Sequence, residues 1–208
     1  MKVIVISDEE NVPVEHEILN ALFSEGLEYL HLRKPNLNEE ETKFFLEKID
    51  SSFHKNIIIH QNYHLVDIYN LKGIHLKSGA VNDLYKSKQL AESFKLKERL
   101  VSYAAHSFQD VLTMKAIANY SLLSPVYNSI SKGNYSSGFK IDDIKKFLTD
   151  NPDLNVVALG GVDEFKISEL KLAGFSGVAL LGAIWKQESL TVDKAVYSFK
   201  KIKKFAEA

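Results

Sequence analysis

The chain has 208 residues, with 26 Lys+Arg against 27 Asp+Glu and no cysteine. That balance gives no global field to recruit nucleic acid or an anionic membrane, and the lack of cysteine excludes disulfides, thiolate metal sites and a cysteine nucleophile. The chain opens directly on a strand pattern and has no apolar run of about 18 residues, so the expectation is a cytoplasmic protein with no signal peptide and no membrane partner.

Strand candidates recur along the chain at Lys2–Ile6, Glu28–Arg33, Asn56–His60, Gly73–Leu76, Leu100–Ala104, Tyr120–Ser124, Asn155–Leu159 and Gly177–Leu181. Most are continuous apolar runs, as parallel strands buried on both faces require. Helical patterns fill the gaps. Glu15–Ser24 carries Ile18, Leu19, Leu22 and Phe23 at helical spacing, and Asn38–Ile49 starts with an Asn cap candidate followed by three glutamates. Ile141–Leu148 and Val192–Phe205 repeat the pattern, and Lys200–Lys204 reads as the solvated face of the last helix. Strict alternation predicts a parallel α/β fold. Eight units favour a single-domain TIM (β/α)8 barrel spanning residues 1–208, with a doubly wound open sheet as the alternative.

In such a barrel the chemistry sits at the C-terminal strand ends. Those positions hold His31 and Arg33, His60 and Gln61, His75, then His106 and Ser107. Four histidines and an arginine make a polar pocket, and imidazole suits proton transfer because its ordinary pKa lies near 6.5. The histidine spacing matches no ligand motif, so no metal site is expected. After strand six, Ser129, Ser131 and Lys132 offer two hydroxyls and a cation for a phosphate or pyrophosphate oxygen. The last two strands stop at Gly160-Gly161 and at Gly182. Glycines there permit tight turns and expose N–H groups, and adjacent helix N-termini following them would form a phosphate site.

Five motifs in order give the chain a resemblance to the thiamine phosphate synthase/TenI superfamily over nearly its full length. His31-Leu32-Arg33-Lys34-Pro35 resembles the family's Gln-Leu-Arg-x-Lys, and Gly73-Ile74-His75-Leu76 its Gly-Val-His-Leu. Ser124 to Lys132 is similar to Gly-Pro-x-Phe-x-Thr-x-Thr-Lys with serine at both threonines, and Ala158 to Val162 to Ala-x-Gly-Gly-Ile. The fifth, Ala105-His106-Ser107, is similar to the x-x-His-Ser after strand five in TenI-like thiazole tautomerases. The resemblance implies a thiazole phosphate ligand, held by N–H groups near Gly160, Gly161, Leu181 and Gly182. His31, Arg33, His60, Gln61, His75, Ser129, Ser131 and Lys132 are then the expected substrate-binding residues.

The departures rank the activities. The resemblance implies that a synthase uses an Asn-Asp pair after strand three and an Asp beyond Gly-Val-His-Leu to hold Mg²⁺. In register, this chain has His60-Gln61 and Ala80, and Pro35 replaces the motif lysine. A neutral amide and a methyl group are poor Mg²⁺ ligands. Lys34 and Lys77 are the nearby cations and Asp83 the nearby acid, none of them in register. The leading expectation is therefore a thiazole tautomerase with no cofactor and no metal, in which His106 moves the proton. His106 also reads as a cap-region residue with Ser107 as N-cap. The alternative is thiamine phosphate synthase with an altered Mg²⁺ site, and the second alternative is a non-catalytic thiazole or thiamine phosphate-binding regulator. Whether the chain forms a homodimer is left open.

Overall fold

The computed structural model describes residues 1–127 and 138–208. Eight parallel strands close into a barrel: β1 (Lys2–Ile6), β2 (Tyr29–Leu32), β3 (Ile57–Ile59), β4 (Gly73–Leu76), β5 (Leu100–Ala105), β6 (Tyr120–Leu123), β7 (Val156–Leu159) and β8 (Gly177–Leu180). β8 pairs back onto β1, Lys2 opposite Gly177 and Val5 opposite Leu180, so the open-sheet alternative is excluded. The observed strands differ from the sequence reading mainly by losing a residue or two at the ends.

Among the described residues, helices follow the strands as α1 (Glu15–Ser24), α2 (Glu39–Glu47), α3 (Leu65–Ile68), α4 (Leu84–Lys95), α5 (Phe108–Met114), α6 (Ile141–Asp150), α7 (Ile167–Leu172), α8 (Gly182–Trp185) and α9 (Val192–Glu207). The expected cap of α2 is a full capping box. Asn38 Oδ1 accepts from the Glu41 N–H at 3.0 Å, and Glu41 Oε2 accepts from the Asn38 N–H at 2.8 Å. Such a cap is worth about 1 kcal/mol. The α9 end is tied to the chain start, where the terminal ammonium donates to the Ala206 carbonyl at 2.9 Å. No helix among the described residues is long and apolar enough to cross a membrane.

Two apolar regions hold the barrel. The larger lies between strands and helices and includes Leu19, Leu46, Ile74, Val101, Leu170 and Phe199. The smaller fills the barrel interior with Ile4, Ile6, Ile58, Leu122, Val157 and Ala179, and Tyr120 joins it. The rest of the interior is polar and also buried, with His31 on β2, His60 just past β3, His75 on β4 and Ser102 on β5. The interior is thus divided into an apolar side and an imidazole side. Gly73 makes the close approach of β4 to β5 feasible, because a Cβ there would lie 1.9 Å from the Leu100 carbonyl oxygen.

Candidate active site

Side chains alternate in and out along a strand, so residues two apart share the barrel interior. By that parity His31 and Arg33 point inward from β2 and its end. Ile58 and His60 do so on β3, His75 and Lys77 on β4, Ser102, Ala104 and His106 on β5, and Tyr120, Leu122 and Ser124 on β6. The sequence expectations at the strand ends therefore converge on one mouth.

The floor of that mouth is a hydrogen-bonded imidazole network. His31 Nδ1 lies 3.0 Å from His60 Nε2, and His31 Nε2 lies 2.6 Å from the Tyr120 hydroxyl. His75 Nδ1 lies 2.9 Å from Ser102 Oγ, and the His60 and His75 rings stack at 4.1 Å between centroids. Register sets this arrangement: His75 pairs with Ser102 on β5, and Ser102 pairs with Tyr120 on β6. Burial pushes His31 and His60 well below the usual imidazole range, and the neighbouring charge of His75 adds to this. Burial, then the Arg33 charge, pushes His75 down to about 3. All three rings are thus neutral near pH 7. One nitrogen from each lies within 4.8 Å of the others, so the trio is the group that has the donors for a metal ion among the described residues.

Charges rim the mouth in pairs. Arg33 Nη1 donates to Glu9 Oε1, and Lys186 Nζ lies 2.9 Å from Asp8 Oδ2. Burial acts to raise the Asp8 carboxyl, but the Lys186 hydrogen bond and the Glu10 N–H outweigh it, so its pKa is lowered. Lys34 takes the other direction. Its Nζ meets Glu15 Oε2 at 2.5 Å and the Glu10 carbonyl at 2.7 Å, with both side chains only 2% exposed, between the barrel and α1. Lys34, one of the nearby cations in the sequence, is therefore not a mouth cation.

A cavity of about 370 Å³ opens beside the mouth, lined by His60, Gln61, Tyr63, Lys77, Ala80 and Leu90 among others. None of its lining residues is a carboxylate. The Gln61 amide nitrogen is committed to the carbonyls of Lys34 at 2.8 Å and Leu37 at 3.0 Å, where it braces the loop after β2. Asp83 is committed as the cap of α4, accepting from the Lys86 N–H at 3.1 Å. A donor set of one neutral amide oxygen and a methyl group does not fit Mg²⁺.

His106 stands at the end of β5, exposed toward solvent, and among the described residues its ring makes one hydrogen bond. Nδ1 lies 2.9 Å from the Ser124 carbonyl oxygen. A carbonyl only accepts, so Nδ1 carries a proton, and in the neutral ring the lone pair is the one on Nε2. The backbone beneath is clamped, with the His106 N–H donating to Asp110 Oδ2 at 2.9 Å and Ser107 capping α5. The cap role and the mouth position coexist.

The loops after β7 and β8 are neighbours because their strands pair. Gly160 and Gly161 have φ of +96° and +64°, a region that glycine occupies without a steric penalty. The helix after them starts only at Ile167, so this turn is not itself a helix N-terminus as the sequence suggested. α8 does begin at Gly182, with Leu181 as its N-cap, and a Cβ at Gly182 would meet nothing among the described residues within 4 Å. Trp185 Nε1 anchors α8 by donating to the Ile6 carbonyl at 2.6 Å. The Ser129, Ser131 and Lys132 expectations lie outside the described residues.

Four polar residues here escaped the sequence reading of the site: Asp8, Ser102, Tyr120 and Lys186. Asp8 shares inward parity with Ile4 and Ile6, and Ser102 is the polar residue on the inward face of an apolar strand. Both were accessible by that signal. Lys186 follows a four-residue helix and carries none.

A closed parallel barrel with a polar mouth and glycine turns after its last two strands places this molecule among the (β/α)8-barrel proteins that work at the C-terminal strand ends. The family model described as thiamine monophosphate synthase matches residues 3–184, and the chain belongs to that family. The thiamine-phosphate synthase of Clostridium acetobutylicum is 22% identical over 183 residues, covering 86% of this chain and 83% of that protein. A solved structure of thiamine phosphate pyrophosphorylase from Bacteroides thetaiotaomicron superposes with a TM-score of 0.79 at 28% identity, covering 100% of this chain and 98% of that one. The corresponding Pyrococcus furiosus structure has a TM-score of 0.78 at 16% identity over 99% and 95%, a likeness of fold.

Proposed function

We propose that this chain binds a thiazole phosphate at the barrel mouth and isomerises its ring by moving a proton, with no Mg²⁺. The observation that carries this reading is the 2.9 Å bond from His106 Nδ1 to the Ser124 carbonyl, which leaves Nε2 as the free base at the mouth. One imidazole can take a proton from ring carbon and return it elsewhere on the same ring. The phosphate is assigned to the Gly160-Gly161 turn and the N–H groups at Leu181, Gly182 and the start of α8, since a Cβ at Gly182 would meet nothing among the described residues within 4 Å. Arg33 supplies a charge near the ring, and Ser129, Ser131 and Lys132 are assigned to the same ligand from the sequence alone. The protein is read as cytoplasmic.

A second reading, thiamine phosphate synthase, is favoured by the name that the curated relatives carry. It requires pyrophosphate to leave, and the residues facing the cavity offer no carboxylate to hold the cation that eases such a departure. Incubating the purified chain with each substrate set, with and without Mg²⁺, separates the two. Isomerisation in the absence of Mg²⁺ supports the first reading, and robust Mg²⁺-dependent formation of thiamine phosphate replaces it with the second. Binding of thiazole phosphate with neither product leaves a non-catalytic binder and rejects both.

A further inference from the structure

We propose that His31, His60 and His75 form a binding site for one divalent transition-metal ion of the zinc class in the barrel floor. This goes beyond the reaction proposed above and does not depend on it. His31 and His75 lie in β2 and β4, His60 directly follows β3, and all three are buried. Their candidate ligand nitrogens already lie within 4.8 Å of one another, and the His31 Nδ1 to His60 Nε2 separation is 3.0 Å. Ligand nitrogens around one tetrahedral ion at the usual Zn–N distance of about 2.0–2.1 Å sit a little over 3 Å apart, so one pair is placed and the third ring has a short distance to close.

The outer contacts are those that a histidine metal site needs. A ligating imidazole normally gives its other N–H to a fixed acceptor, which sets the tautomer and the ring direction. Ser102 Oγ occupies that place for His75 Nδ1 at 2.9 Å, leaving His75 Nε2 for the ion. The Tyr120 hydroxyl occupies it for His31 Nε2 at 2.6 Å, leaving His31 Nδ1. Ser102 is itself placed 3.3 Å from the Ile74 carbonyl, so the hydroxyl is anchored in the ladder. Binding needs no net loss of protons from the neutral trio. The proton now shared between His31 Nδ1 and His60 Nε2 moves to the far nitrogen of whichever ring holds it, and the ion takes the place it leaves.

The donor set selects the ion. Neutral imidazole suits Zn²⁺, Co²⁺, Ni²⁺ and Cu²⁺, whereas Mg²⁺ and Ca²⁺ prefer oxygen. Three protein ligands leave a fourth position for water. His60 also lines the cavity beside the mouth, which gives solvent and the ion a path in.

The test uses the whole chain, stripped of metal with a chelator and titrated with Zn²⁺ against a chromophoric competitor, and separately with Co²⁺. One tight equivalent of Zn²⁺, together with the intense visible bands of four-coordinate Co²⁺, is expected, and Mg²⁺ in excess should not compete. His75→Gln and His60→Gln should each weaken Zn²⁺ at least about a hundredfold, and Ser102→Ala or Tyr120→Phe by about 10–100-fold. His106→Ala should leave Zn²⁺ affinity unchanged, which separates this site from the mouth histidine. Less than one tight equivalent on the wild-type chain, or tight binding that persists in folded His75→Gln, overturns the assignment. Because the wild-type titration alone can do so, a variant that fails to fold does not rescue it.

Discussion

His106 and Ser124 stand at the ends of neighbouring strands, joined by a 2.9 Å bond from an imidazole nitrogen to a main-chain carbonyl. That bond fixes which nitrogen is basic, and the adjoining clamp on Asp110 fixes where the ring sits. In the proposed isomerisation, a base positioned in this way would need no metal.

His106→Asn places an amide nitrogen near the position of Nδ1, where it can donate to the Ser124 carbonyl, but removes the base. Isomerisation should fall by at least about a hundredfold, since general acid–base groups contribute roughly 10²–10⁴-fold. Affinity for thiazole phosphate should change little, and one limb of the pH–rate profile should vanish. Steady-state kinetics beside equilibrium binding checks this, and near-normal turnover would transfer the proton to His60, His75 or water.

Lys34 and Glu15 form a buried pair, and one oxygen of Glu15, Oε1, has no hydrogen-bond partner among the described residues. Burial raises the Glu15 carboxyl, with the Lys34 bond opposing it. Lys34→Met should destabilise the fold by about 3–5 kcal/mol, because it strands a buried acid. Lys34→Met with Glu15→Leu should recover most of that loss. Urea unfolding of the single and double variants decides it. If Lys34→Met instead leaves stability untouched and abolishes turnover, Lys34 belongs to the mouth after all.

Much of this was readable from the residues, for reasons that particular positions make plain. Strands such as Val156–Leu159 announce themselves as unbroken apolar runs, since both faces are covered. Short helices do not: α3 and α8 have four residues each, too few for a helical period to show. His31, His60 and His75 were visible as strand-end histidines, yet their mutual contact depends on register, which no spacing reveals. The outward turn of Lys34 follows from parity, one residue beyond inward-facing Arg33, and the motif comparison obscured it. The distance from Gly161 to the start of α7 was invisible because Val162 to Lys166 carries no breaker that marks a late start.

Gly182 offers a cleaner probe of the phosphate assignment than the Gly160-Gly161 turn, whose positive φ values would add backbone strain to any substitution. A Cβ at Gly182 would meet nothing among the described residues within 4 Å, so Gly182→Val should fold with near-normal stability. It should nevertheless fill the space where a phosphate would meet the α8 N–H groups. Binding of the phosphorylated thiazole is expected to drop at least about tenfold, equivalent to about 1.4 kcal/mol, while the dephosphorylated thiazole is unaffected. Calorimetry with both ligands is the measurement, and equal losses for the two would remove the phosphate from this loop.

The imidazole floor makes stability depend on mild acid. His75 is held at about 3 in the folded chain, and His31 and His60 are also pushed well below their ordinary value of 6.5. Between those limits the unfolded chain binds protons that the folded chain refuses, so stability rises with pH and is lost as pH falls from about 6.5 toward 3. Each fully buried ring contributes about 1.4 kcal/mol per pH unit within that window, so His75 alone costs about 2 kcal/mol at pH 5. Glu15, whose carboxyl is raised, works in the opposite direction, but the three rings are joined by His16, which burial also lowers. Urea midpoints of metal-free protein at pH 7 and pH 5 should therefore separate clearly, and His75→Gln should narrow the gap by the share of that one ring. A wild-type midpoint that does not move between these pH values would mean that the trio is already charged, or hydrated, in the folded chain.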